Sequence, residues 1–342
     1  MNNINNTYQQ GFSLLEVFIA LVIGLVIFAG VLSIFVGMRT TVTETSSFGE
    51  LQENGRFAMS VLTNDLSKQD FWGDYTGTFD LSSINHTLAA PANDCNGGGV
   101  NNNSFPLATG SFRTIWGETV SRANPMGCFA DAKIGSDVIQ IKRVLADALV
   151  DGLGDPLDPA PAGNYHLVAN SNDGILFASG ALPAVDNSRV WQYQHHVYYI
   201  REENQGNNKV PVLMQGQLTT RMSFAPIIDG IEMIRFMYGY DADTDPDAAG
   251  YGVVDNFVSA DNVTEAMWDN TGGTKIIAVK IYVLARNVLP DNNYINNNTY
   301  FLGDLNDGKG ITFNDHNRRL LFSSTVTLYN ACLLYTSDAA DE

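Results

Sequence analysis

Basic side chains are scarce in this sequence. Its 342 residues hold 19 Lys and Arg against 37 Asp and Glu, a formal net charge of −18, and a polyanion of that strength repels phosphate backbones rather than gathering them. Direct nucleic-acid binding is disfavoured on that ground. Catalytic signatures are missing as well. There is no Gly-x-Ser-x-Gly elbow, no glycine-rich phosphate loop ending in Lys-Ser/Thr, and no His-Glu-x-x-His, so nothing in the sequence supports an enzyme. Cysteine is rare, with three in the whole chain. The leader Met1 to Gln10 contains no Lys or Arg, whereas a conventional secretory signal has a basic start, a shorter apolar core and a cleavage site after that core.

What the chain does have is one long apolar run. Val17 to Met38 is uncharged over 22 residues, about 33 Å of helix at about 1.5 Å per residue, enough to cross a bilayer core of about 30 Å. One carboxylate, Glu16, stands at its entrance. A charge at depth in a bilayer costs about 3 kcal/mol on insertion scales, so such a residue is usually kept for a partner or a pathway. Arg39 follows the run, and the positive-inside rule alone would put the larger part of the chain in the cytoplasm. The pattern around Gly11 and Glu16 opposes that reading.

Gly11-Phe12-Ser13-Leu14-Leu15-Glu16 ahead of an unbroken apolar helix resembles the class III signal of type IV prepilins and pseudopilins. Leu51-Gln52-Glu53-Asn54-Gly55-Arg56-Phe57-Ala58, with Phe71-Trp72-Gly73 after it, resembles the PilW family of minor pilins. The resemblance implies a leader 1–11 cut between Gly11 and Phe12 and N-methylation of Phe12 by a prepilin peptidase. It further implies that the new amine pairs with Glu16 of a neighbouring helix. It also implies a structural role beside other minor pilins and the major pilin, on an inner-membrane assembly platform, in a complex that primes and caps a pilus and could carry a tip adhesin. The head would be periplasmic. Two rivals share the helix: a J-type minor pseudopilin of a type II secretion system, and a membrane-anchored periplasmic protein that binds calcium or another ligand.

The expected fold class is α+β: a long N-terminal helix, 12–66, membrane-spanning to about 38, packed on an antiparallel β-rich head, 67–331. Phe48, Leu51, Ala58, Val61, Leu62 and Leu66 share one helical face, which predicts a buried stripe, with Glu44, Glu50, Glu53 and Asp65 left in water. Gly24, Gly30, Gly37 and Gly55 each weaken a helix by up to about 1 kcal/mol, and read either as close packing in lipid or as points where the helix can stretch. Strands are predicted at Asp137–Val144, His196–Arg201, Ile231–Tyr240, Lys275–Arg286 and Leu320–Leu328. The Asn- and Gly-rich segments Asn93–Asn103 and Asp291–Asn298 read as surface loops. Cys332 to Glu342 looks like the conceptual translation of a sequencing-library adapter and is set aside.

Without Cys332, Cys95 and Cys128 form an even pair, favouring a disulfide in an oxidising compartment, against two unpaired thiols. Asp241, Asp243, Asp245 and Asp247 alternate as oxygen ligands do in calcium loops. Pro246 stands where an EF-hand needs Gly and Gly252 where it needs Glu, so a solvated acidic turn stays open beside a calcium site. Asp304, Asn306 and Asp307 form a weaker candidate. His195 and His196 are neighbours and in a strand must point to opposite faces.

Overall fold

The structure is a computed structural model that describes residues 11–76, 84–86, 88–107, 110–206, 208–245, 247 and 250–330. The leader before Gly11 and the proposed adapter tail lie outside the described residues. The chain divides into two compact units, one ending at Glu50 and one beginning at Leu51.

Helix α1 spans Leu14–Leu66 and runs through both units. It begins two residues later than the expected 12. Ser13 precedes the first turn, where its Oγ accepts from the Glu16 amide (3.3 Å) while Glu16 Oε2 accepts from the Ser13 amide (2.9 Å). That reciprocal pair is a capping box, which satisfies two of the orphan donors of a helix start.

Fourteen strands are described after the helix. In chain order they are β1 (Ile84–His86), β2 (Ile115–Thr119), β3 (Asp137–Ala148), β4 (His166–Ala169), β5 (Gly174–Phe177), β6 (Arg189–Gln205) and β7 (Asn208–Leu218). Then come β8 (Met222–Asp229), β9 (Ile231–Asp241), β10 (Asn256–Ser259), β11 (Lys275–Arg286), β12 (Thr299–Tyr300), β13 (Ile311–Thr312) and β14 (Arg319–Thr327). A second short helix, α2, covers Glu265–Trp268.

The strands form an eight-stranded sheet, β1-β5-β4-β6-β3-β2 with β7 and β8 added beside β6, a four-stranded sheet, β10-β9-β11-β14, and a β12-β13 pair. Pairing is antiparallel throughout these ladders except for the short parallel contact of β1 with β5. The hub is β6, whose 17 residues are long enough to pair with β4, β3 and β7 along different stretches. The two large sheets are tied through polar atoms. Asp137 of β3 accepts from Arg235 (3.0 Å) and from the Phe236 amide (2.8 Å) on β9, all in the interior.

The last turns of α1, from Leu51, belong to the head unit because of what they bury. Leu51, Ala58, Leu62 and Leu66 are buried and Val61 is half-buried, each leucine contributing about 1.5–3 kcal/mol on leaving water. Phe48, expected on the same stripe, is 42% exposed, so the packed face starts one turn later. Gly55 corrects a second expectation. A Cβ there would stand 2.1 Å from the Phe322 ring of β14, so this glycine serves close packing of helix on sheet within the head rather than in lipid.

Candidate functional site

Two places carry the chemistry: the start of α1, and the polar contacts by which its last turns dock on the head. At the start, Gly11 and Phe12 precede the cap, and Phe12 is 87% exposed. From Leu14 to Met38 the large apolar side chains are all exposed. Among the described residues this is the one helix long and apolar enough to cross a membrane. Such a continuous uncovered apolar surface calls for a nonaqueous environment or for other helices. In the isolated chain the Glu16 carboxylate is turned onto its own Ser13 amide.

At the docked end, Asp65 overturns the expectation that it stays in water. It is only 4% exposed and receives hydrogen bonds from Arg143 of β3 (2.8 Å) and Tyr198 of β6 (2.8 Å), with His196 Nδ1 2.7 Å away. Burial alone would raise its pKa, but the His196 and Arg143 side chains and the Tyr198 hydroxyl outweigh it and hold the carboxyl well below the usual range. Gln215 Nε2 in turn donates to Tyr198 (2.8 Å). Sequence periodicity placed Asp65 beside the apolar stripe; its partners are 78 to 133 residues away, so local spacing held no sign of them. The adjacent histidines do point apart. His196 meets Asp65, while His195 meets Ser104 and Gln140 on the other face.

Cys95 and Cys128 are joined, with an S–S distance of 2.02 Å. The bond links the loop after β1 to the segment before β3, and Cys95 is fully buried.

The acidic alternation does not converge as expected. Asp241 and Asp243 group with Asp255, their carboxylate oxygens within 4.8 Å of one another, whereas Asp245 and Asp247 are not in that group. Asp255 comes close because its amide bonds to Tyr240 where β9 turns toward β10. These carboxylates close the turn. Asp241 accepts from the amides of Asp243 (2.9 Å) and Gly252 (2.7 Å), and Asp255 accepts from that of Ala242 (2.8 Å). Asp304, in the weaker candidate, instead holds Arg235 at 2.6 Å.

Comparison with known families gives two matches. Residues 6–32 match the prokaryotic N-terminal methylation motif, and residues 197–330, from β6 through β14, match the type IV pilus-assembly protein W family, PilW. The two matches support a type IV pilus-related minor pilin of the PilW kind. Comparison with curated proteins gives no match. Among solved structures, a type IV-like pilin from Thermus thermophilus is similar, with 12% identity, 82% of this chain and 97% of that one covered, and a TM-score of 0.32.

The PilW match lies away from the residues that first suggested it. Leu51 to Ala58 and Phe71 to Gly73 fall outside 197–330, yet the fold gives both physical work. The first carries the glycine that admits Phe322. In the second, Trp72 stacks on Tyr193 at 5.8 Å, and Gly73 sits at φ 66° where a Cβ would come 2.4 Å from the Trp191 ring.

Proposed function

We propose that this chain is a minor pilin that enters the complex priming pilus assembly, with the first part of α1 in the inner membrane and the head in the periplasm. The observation that carries the reading is the start of α1. An exposed Gly11-Phe12 precedes a capped helix whose first 25 residues bury none of their apolar side chains, and the N-terminal methylation motif, residues 6–32, covers the start of that segment. The match of the head to a pilus-assembly family favours a pilus over a secretion pseudopilus. Cleavage after Gly11 would leave an amine at Phe12, and Glu16 of a neighbouring subunit is the carboxylate that would receive it. Prepilin peptidase, the other minor pilins, the major pilin and the assembly platform are the partners this role requires, and a tip adhesin is one it could carry.

The capping box sets the experiment. Glu16→Ala removes both the carboxylate offered to a neighbour and the chain's own cap, whereas Ser13→Ala removes only half of the cap, at about 0.5–2 kcal/mol. In pull-downs with the other minor pilins, after leader cleavage is verified by mass, Glu16→Ala should lose most of the recovery and Ser13→Ala little. Equal losses would make Glu16 a helix cap and nothing more. Undiminished recovery of Glu16→Ala would remove it from assembly altogether.

A further inference from the structure

Away from the helix, the head buries a lysine that has no ion pair among the described residues. Lys142 lies in β3 and is fully buried. Its Nζ donates to Asn102 Oδ1 (3.1 Å) and to the Arg113 carbonyl (2.9 Å), with the Phe112 ring 4.5 Å away. An ammonium without hydration or a counter-charge is strongly disfavoured there. Burial accordingly pushes the amine well below its ordinary range, with the Arg113 charge adding to the effect and Asp94 opposing it. A neutral lysine amine is a nucleophile.

Facing it is a carboxamide held at both ends. Asn102 is also fully buried. Its Nδ2 donates to the Gly98 carbonyl (2.9 Å), and its Oδ1 accepts from Gln140 Nε2 as well as from Lys142. Gln140 Oε1 lies 3.3 Å from His195 Nε2. His195 Nδ1 and Ser104 Oγ share a bond of 2.9 Å, and Ser104 Oγ donates to Asp94 at 2.6 Å. Amine and carboxamide are thus held in hydrogen-bond contact in the interior, so a reaction between them needs no bimolecular encounter.

We propose that Lys142 and Asn102 become joined by an intramolecular amide bond. Nζ attacks Asn102 Cγ while the Gln140 N–H stabilises the charge that develops on Oδ1. The Nζ–Cγ bond forms and the Cγ–Nδ2 bond breaks. One proton of the neutral amine leaves with Nδ2 as ammonia and the other stays on the new amide. Nothing is oxidised or reduced, and no co-reactant is needed. The product replaces a buried ionisable group by a neutral amide and ties the Asn93–Asn103 loop covalently to β3. This reaction is independent of the assembly role.

The test is mass analysis of the full chain, purified from membranes, with Cys95–Cys128 reduced and the chain digested with trypsin. The expected result is a branched peptide joining the segment around Asn102 to the one containing Lys142, lighter than their sum by one ammonia, with no cleavage after Lys142. Lys142→Arg and Asn102→Ala should each abolish the branch. Two linear peptides of unmodified mass from the wild-type chain would overturn the proposal, whether or not either variant folds. Loss of ammonia from a linear Asn102 peptide would also overturn it, because the carboxamide would then have closed on its own backbone.

Discussion

The same residue types behave oppositely in the two parts of α1, before and after Glu50. Before Glu50, leucine, valine, isoleucine and phenylalanine side chains are exposed along the whole apolar run; from Leu51 onward the leucines of the helix are buried. Hydropathy does not separate the two, since both stretches carry apolar faces. The distinction is whether the chain supplies its own cover. The head does so with two sheets and an aromatic cluster that includes Trp72, Phe105, Phe112 and Tyr193. The first unit does not, so its surface has to be completed by lipid or by other helices.

The largest effect comes from removing the polar contact that marks the second regime. Asp65→Ala strands Arg143 in the interior, and breaking one side of a buried pair costs about 3–5 kcal/mol. Denaturant unfolding of the full chain in detergent, followed by tryptophan fluorescence, should show that loss. The wild type adds a pH signature. Because folded Asp65 holds its proton less tightly than the unfolded carboxyl at about 3.9, its stabilisation is in place above that value and is lost as the pH falls through the lower folded one. Asp65→Asn should flatten this acid limb. An unchanged limb would mean that other carboxylates set the acid sensitivity.

Reduction of Cys95–Cys128 comes next. The bridge spans 33 positions, and releasing a loop of that size costs about 3–4 kcal/mol in the chain-entropy model. Head unfolding should shift by that amount, while the helicity of the first unit, which has no part in the bridge, stays constant. A fall in helical signal before the head unfolds would break the division of the chain into two separately supported parts.

Much of this was legible in the sequence, and the failures follow a rule. The helix end at Leu66, the alternating β11 and the opposed histidines all rest on local periodicity, which a sequence displays. Strands β7 and β8 escaped notice because Pro211 and Gly216 interrupt one and Pro226 the other, and such residues read as breakers. β4 and β5 are four residues each, too short to show a period. Asp65, Asp255 and the Lys142–Asn102 contact were missed for another reason. Their meaning comes from partners 12 to 133 residues away, and charge or polarity alone says only that each should be wet. Gly55 is the same failure in reverse: its helix penalty was visible and the ring it admits was not.

The smallest effect is the sharpest test of the contrast, because it makes one substitution in both regimes. Gly55→Ala places a methyl where the Phe322 ring lies 2.1 Å away, and forcing the ring aside should cost about 1–3 kcal/mol, more than the gain in helix propensity of about 1 kcal/mol. At Gly30 nothing lies within 4 Å of the added Cβ. Gly30→Ala should therefore leave head unfolding unchanged and strengthen the helix slightly. Measured side by side in detergent, the two variants should differ in sign: lower stability of the head for Gly55→Ala, and equal head stability with equal or higher helicity for Gly30→Ala. If Gly55→Ala instead stabilises the chain, Phe322 moves freely and the close approach of helix and β14 is not what selects glycine there. If Gly30→Ala keeps its helicity yet fails in the minor-pilin pull-down, the bare face of the first unit packs against other helices at that point, and lipid alone does not cover it.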